Sequence, residues 1–219
     1  MAENFTKAGA KYGFYFNQTR CNGCKACQIA CIDKHDLPLG VHWRKVAEYS
    51  GGTWKVQGNT FQPKVFAYYV SISCNHCEYP VCMEVCPTTA MSRREDGTVY
   101  VDESKCVGCR YCQWACPYGA PQLNPETGHM SKCDLCYDYR SEGKDPACVA
   151  ACPSRALEWG PIDELRKKHG NLNGIAPLPD PSLTEPHLVI EAHRDAEPWD
   201  QATGEITNPK EICKWKNSL

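Results

Sequence analysis

Sixteen of the seventeen cysteines in this 219-residue chain fall into four groups of four, and their spacing is what offers chemistry. The first group is Cys21, Cys24, Cys27 and Cys31, spaced C-x2-C-x2-C-x3-C. The third, Cys106, Cys109, Cys112 and Cys116, repeats that spacing and is followed by Pro117. The second, Cys74, Cys77, Cys82 and Cys86, widens its middle gap to four residues and precedes Pro87. The fourth, Cys133, Cys136, Cys148 and Cys152, widens it to eleven and precedes Pro153. Only Cys213 stands outside. Thiolates bind soft metals and clusters, and three on one tight loop converge on a single point.

The x2-x2-x3-Pro run is the cysteine pattern of bacterial ferredoxins, in which the last cysteine of a run ligates the neighbouring cluster. The reading is four 4Fe–4S clusters. Three close thiolates hold three irons of a cubane, and the backbone N–H groups between them turn inward toward the anionic sulfides. The fourth iron needs a thiolate from elsewhere. The x3 step carries the last cysteine away, and the following proline resists an unbroken helix. Group one ends Cys31-Ile32 without proline, so the sequence leaves its exit open. Zinc is the rival for C-x2-C thiolates, yet it gives no reason for a third cysteine two residues further on. Disulfides need no fixed local spacing, and no C-x2-C pair is followed by the histidine of a c-type haem site.

The elements that must position these loops are short. Tyr12 to Asn17 reads as a strand entering group one, and Trp43 to Tyr49 as a second. Ser50-Gly51-Gly52 reads as a turn into a polar excursion, and Phe66 to Ile72 as a strand delivering the chain to group two. Asp96-Gly97 marks a hairpin turn, with Thr98 to Val101 as its strand. Ala156 to Trp159 has the look of a strand that pairs with Tyr12 to Phe16. Pro161 to Gly170 reads as a helix, with early acids, late bases and a terminal glycine. The proline-rich remainder, with a strand-like His187 to Glu191, reads either as a disordered terminus or as an extended arm on a partner.

Groups two and three lie close in sequence and exchange fourth cysteines, which leaves group one to exchange with group four. One cluster then uses Cys21, Cys24, Cys27 and Cys152, and the next Cys133, Cys136, Cys148 and Cys31. A third uses Cys74, Cys77, Cys82 and Cys116, and the fourth Cys106, Cys109, Cys112 and Cys86. The expected fold class is α+β: two nested ferredoxin-like modules, an inserted small sheet and an extended C-terminal arm. Residues 12–31 plus 117–160 form the outer module, 32–73 the insertion, 74–116 the inner module, and 161–219 the helix and arm.

Formal charge is −2 before clusters are counted, and about −10 with them, so no nucleic-acid partner is indicated. No run approaches a membrane span, and Met1 to Lys11 has no apolar core of a secretory signal. The chain is expected to be loaded with clusters in the cytoplasm. No Ser/His/Asp set, phosphate loop or carboxylate pair stands out, so catalysis by this chain alone is not expected.

Cys106 to Gln122 (CVGCRYCQWACPYGAPQ), Ser71 to Cys77 and Gly160 to Gly170 together resemble the iron–sulfur electron-transfer subunit of the anaerobic dimethyl sulfoxide reductase family. The resemblance runs from about Tyr12 to about Lys210. It implies a heterotrimer of a molybdopterin-containing catalytic subunit, this chain, and an integral membrane anchor subunit that oxidises menaquinol. It also implies a periplasmic face reached by co-export with the catalytic subunit, which carries the twin-arginine signal. Related tetrathionate, polysulfide, selenate and nitrate reductases use similar chains. Where some relatives place tryptophan and hold a 3Fe–4S centre, this chain has Cys112, which implies four full cubanes. By the same analogy the Cys106, Cys109, Cys112 and Cys86 cluster lies nearest the anchor, and the Cys21, Cys24, Cys27 and Cys152 cluster nearest the catalytic subunit.

Beside the ligands, Arg110 is the candidate for tuning a cluster potential through charge and hydrogen bonding. His76 and His129 read as supporting residues, because each cluster already has four cysteines. Trp43, Trp54 and Trp114 read as packing residues, and Cys213 as a free thiol. The function that differs in class, a structural zinc protein, would show no visible band bleached by dithionite.

Overall fold

The first strand is buried along its whole length in the computed structural model, which describes residues 10–212. In chain order the elements are β1 (Tyr12–Asn17), α1 (Ala26–Lys34), β2 (Lys45–Gln57), β3 (Thr60–Ile72), α2 (Val81–Glu84), β4 (Met91–Arg93), β5 (Val99–Val101) and α3 (Tyr111–Ala115). There follow β6 (Gln122–Leu123), β7 (Met130–Ser131), α4 (Tyr137–Ser141), α5 (Ala147–Ala150), β8 (Leu157–Pro161), α6 (Ile162–His169), β9 (Leu188–Glu191) and β10 (Glu205–Ile206). The fold is a mixed α and β one, with small sheets and one- to two-turn helices between the cysteine loops.

β1 is aromatic on both faces because both are covered. Tyr12, Phe14 and Phe16 enter the main core, while Tyr15 packs with Ile162 and Leu165 of α6 and Val189 of β9. β8 flanks β1 antiparallel, with Phe16 opposite Leu157, and β9 flanks it on the other side in parallel. The strand at Ala156 to Trp159 therefore forms, shifted by about one residue, and pairs with β1. α6 carries Asp163 and Glu164 in its first turn and a basic last turn, as its dipole favours, and Gly170 ends it. The Asp96-Gly97 turn closes the β4–β5 hairpin, with Met91 opposite Val101.

Two expectations are corrected. Ser50-Gly51-Gly52 is not a reversal. Pairing runs on through Gly51 opposite Phe66 and Gly52 opposite Val65, and the chain turns at Gly58-Asn59. Val56 stands opposite Phe61, and Thr53 and Trp54 continue the pairing opposite Lys64 and Pro63, so these β-formers outweigh the glycines. The outer half is exposed, so Trp54, at 65% exposure, is not a packing residue.

The second correction is the tail, which through residue 212 is neither disordered nor an arm extended away from the fold. Ile175, Ala176 and Leu178 join the main core, and Leu188, Val189 and Ile190 are buried in β9. Tyr68 donates its hydroxyl to the Ala176 carbonyl at 2.9 Å. Asn208 holds β2, donating to Val46 O at 3.0 Å and accepting from Glu48 N–H at 2.9 Å. Prolines lower the entropy lost on ordering such a segment, so their presence does not oppose docking. Cys213 lies outside the described residues.

Candidate metal centres

The four C-x2-C steps share one backbone device. The residue just before the second cysteine has positive φ in each: Gly23 at 71°, His76 at 46°, Gly108 at 66° and Leu135 at 63°. This left-handed step turns successive N–H groups to the concave side, where sulfur collects. The Leu135 N–H, for example, donates to Cys133 Sγ at 3.4 Å. A β-carbon on Gly108 would overlap the Gly128 carbonyl, so glycine is required there for space as well as for φ. In groups one and three a second left-handed residue, Lys25 or Arg110, starts the helix carrying the third cysteine.

The last cysteines share another device. After Cys86, Cys116 and Cys152 comes proline, and the third residue on, Thr89, Gly119 or Arg155, has positive φ. The chain curls back over the sulfur. Met91 N–H reaches Cys86 Sγ at 3.4 Å, and Ala156 N–H reaches Cys152 Sγ at 3.3 Å. Burial works against ionising these thiols, yet the N–H groups hold both below the usual range. Group one, lacking proline, leaves differently: α1 runs on through Cys31 to Lys34.

The fold brings the cysteines together across groups. Cys21, Cys24, Cys27 and Cys152 line one space of about 300 Å³. Cys74, Cys77, Cys82 and Cys116 line a second of about 360 Å³, and Cys86, Cys106, Cys109 and Cys112 a third of about 300 Å³. Cys31, Cys133, Cys136 and Cys148 face one another where α1 packs on α5. The sets follow one another in space: Cys27 faces Cys148, and Cys133 faces Cys74. Of the described cysteines only Cys24 and Cys109 are exposed, one in each terminal set.

All sixteen described cysteines are free thiols, so they form no disulfide framework. Burial, then neighbouring thiolates, push Cys112 and Cys136 up to about 12 and Cys133 well above its ordinary range. Burial likewise drives Cys21 up to about 11 against a Gly23 N–H that lowers it. Such sets need a cationic group to stabilise the thiolates. A single zinc would hold four sulfurs about 4 Å apart. Among the described residues no three cysteine sulfurs lie within 4.8 Å of one another. The donors therefore surround a volume rather than an ion, and they fit iron–sulfur cubanes.

Arg110 is exposed at the start of α3 and has no carboxylate partner among the described residues. His76 is fully buried in the wall of the Cys74 space, where its Nδ1 accepts from Val99 N–H at 3.1 Å. His129 sits beside group three, its Nδ1 2.8 Å from the Cys106 carbonyl. Trp43 packs on His35 at 4.4 Å and donates to Ser131 Oγ at 3.1 Å, in keeping with a packing role. Trp114, 56% exposed, is a rim residue instead. Sequence reasoning missed the buried cations, among them two beside the cysteine sets. Arg44 lies between the first two sets. Lys132 donates to the Val99 and Cys133 carbonyls beside the third set. The available signal was a basic residue between Trp43 and the start of β2, and another directly before Cys133.

Residues 65–162 match the 4Fe–4S dicluster domain family. With the sixteen cysteines, this makes the protein a carrier of multiple 4Fe–4S clusters. Over 202 residues it is 55% identical to the B subunit of the anaerobic dimethyl sulfoxide reductase of Escherichia coli, covering 92% of this protein and 98% of that one. It is 50% identical over 203 residues to the B subunit of the same reductase from Haemophilus influenzae, covering 92% and 99%. It is 41% identical over 155 residues to the thiosulfate reductase electron transfer subunit of Salmonella typhi, covering 70% and 78%.

Proposed function

The protein belongs to the family of anaerobic dimethyl sulfoxide reductase B subunits, which are iron–sulfur electron-transfer subunits, and we propose that it links a menaquinol-oxidising membrane anchor to a molybdopterin-containing catalytic subunit that reduces dimethyl sulfoxide. Four 4Fe–4S clusters serve this transfer, held by the four lining sets: Cys21, Cys24, Cys27, Cys152; Cys31, Cys133, Cys136, Cys148; Cys74, Cys77, Cys82, Cys116; and Cys86, Cys106, Cys109, Cys112. Two nested ferredoxin-like modules carry them, 12–31 with 117–160 outside and 74–116 inside, with 32–73 inserted and 161–219 as the closing segment. The pairing of β1 with β8 around the β4–β5 hairpin supports the nesting.

Each bound cluster supplies a one-electron acceptor and donor that needs no proton. The protein's part is to hold, order and insulate. Exchanged cysteines fix neighbouring sets against each other, and buried walls keep water from the middle sets. The observation that carries the reading is the file of sets, Cys27 by Cys148, Cys133 by Cys74 and Cys82 by Cys112, with an exposed cysteine, among the described residues, only at each end. The Cys109 end is rimmed by exposed Val85, Val107, Tyr111 and Trp114, which suits an anchor at the membrane. The Cys24 end, with Asn22 and Lys25, suits the catalytic subunit. No helix among the described residues is long and apolar enough to cross a membrane, so attachment is through the anchor, on the periplasmic face in this reading.

The higher identity to dimethyl sulfoxide reductase subunits than to the thiosulfate reductase subunit favours dimethyl sulfoxide as acceptor. The test is anaerobic purification with whatever subunits accompany the protein. About sixteen irons and sixteen sulfides per polypeptide are expected, with a visible band bleached by a menaquinol analogue and restored by dimethyl sulfoxide. Zinc in place of iron overturns the reading; restoration by thiosulfate alone reassigns the acceptor.

A further inference from the structure

Arg44 is the largest fully buried side chain of the fold, at 2% exposure. It has no carboxylate partner among the described residues. Its guanidinium donates to Ser71 Oγ at 3.2 Å and to Ser73 Oγ at 3.0 Å, and it stacks over Phe14 at 4.4 Å. Nε meets no acceptor. An isolated buried cation costs several kcal/mol or more, so something anionic must offset it. The anionic neighbours are sulfurs of two sets, Cys27 of the first and Cys31, Cys133 and Cys148 of the second. The Arg44 main-chain N–H also serves Cys31.

Ser71 extends this contact. Its Oγ lies 3.4 Å from Cys27 Sγ. Because Arg44 donates to that oxygen, the hydroxyl hydrogen is left for the sulfur. The first set therefore receives both a buried charge and a charge-supported hydrogen bond. A fixed cation and a donor to sulfur both favour the more negative, reduced state of a cluster, and so raise its potential.

We propose that Arg44, partly through Ser71, sets the reduction potentials of two centres together, the one at Cys21, Cys24, Cys27 and Cys152 and the one at Cys31, Cys133, Cys136 and Cys148. The guanidinium is a shared potential-setting charge at the joint between them. Its link to the third set is indirect, through Ser73 beside Cys74, so the larger effect falls on the first two sets.

This inference rests on the cluster reading above. It is tested by EPR redox titration of the cluster-loaded protein with its accompanying subunits, comparing wild type with R44Q, R44K and S71A. R44Q is expected to lower two of the four midpoints by about tenfold in the reduction equilibrium, about 59 mV for a one-electron couple, with smaller shifts in the others. R44K, which keeps the charge, is expected to recover most of that shift. S71A is expected to lower one midpoint only. Unchanged midpoints in a fully loaded R44Q, or equal shifts in all four centres, overturn the proposal. Should R44Q load fewer irons, S71A decides, and an unmoved first centre overturns it. Absence of iron from the wild type overturns the cluster reading instead, so the two failures are distinguishable.

Discussion

The loops of groups one and three have the same spacing and the same pair of left-handed residues, yet they serve different ends of the molecule. Gly23 and Lys25 in one match Gly108 and Arg110 in the other to within about 5° in φ. What differs is everything beyond the loop. Group one runs into the nine-residue α1, with Asn22 and a single large apolar side chain, Ile29, exposed on it, whereas group three stops at Cys116-Pro117 beside exposed Val85, Val107, Tyr111 and Trp114. Lys25 is paired with Glu48 at 3.1 Å and with Glu211, while Arg110 keeps its charge unopposed by any described carboxylate. Local spacing builds a cradle; the residues around it decide what the cradle connects to and at what potential.

The sharpest way to break this comparison is to remove the exposed sulfur at each end. Cys109→Ala is expected to cut menaquinol-driven reduction of the remaining centres by about 100-fold or more, while Cys24→Ala leaves that step and stops delivery to the acceptor. Stopped-flow bleaching with quinol, followed by re-oxidation with acceptor, separates the two. The same defect in both variants would mean that the ends are not distinct.

Glycine substitution comes next. A β-carbon on Gly108 meets backbone, the Gly128 carbonyl, whereas one on Gly23 meets the Tyr69 ring, which can rotate. Gly108→Ala is expected to lose about four irons per polypeptide. Gly23→Ala should retain its irons and cost about 1–2 kcal/mol from the strained φ. Iron analysis with thermal unfolding under anaerobic conditions measures both; matching losses would show that the two loops are equally constrained.

The smallest effect is electrostatic. Arg110→Leu is expected to lower the potential of the centre at Cys86, Cys106, Cys109 and Cys112 by about fivefold in its reduction equilibrium, since an exposed charge is screened. Lys25→Leu should shift the opposite end less, because two carboxylates already offset that charge. EPR titration of each variant compares them, and a larger shift from Lys25 would reverse the assignment.

Much of the site was legible before the fold. The cysteine spacing, the Asp96-Gly97 hairpin and α6 rest on contacts between near neighbours in the chain, and the strand at Tyr12 was legible from its own run of aromatic β-formers. The long ribbon was misread at Gly51-Gly52, because cross-strand partners such as Val65 and Phe66 lie far along the sequence. His76 in a left-handed position had no sequence signal, since only packing holds a non-glycine residue there.

Spacing along the polypeptide sufficed to say that thiolates gather in threes on tight loops, because a few bonds and a preferred φ set that geometry. That β9 flanks β1, and that Arg44 lies between two sets with no carboxylate partner among the described residues, were decided by tertiary structure. Those facts depend on burial among segments distant in the chain, where desolvation and close packing, rather than local conformation, select the partner.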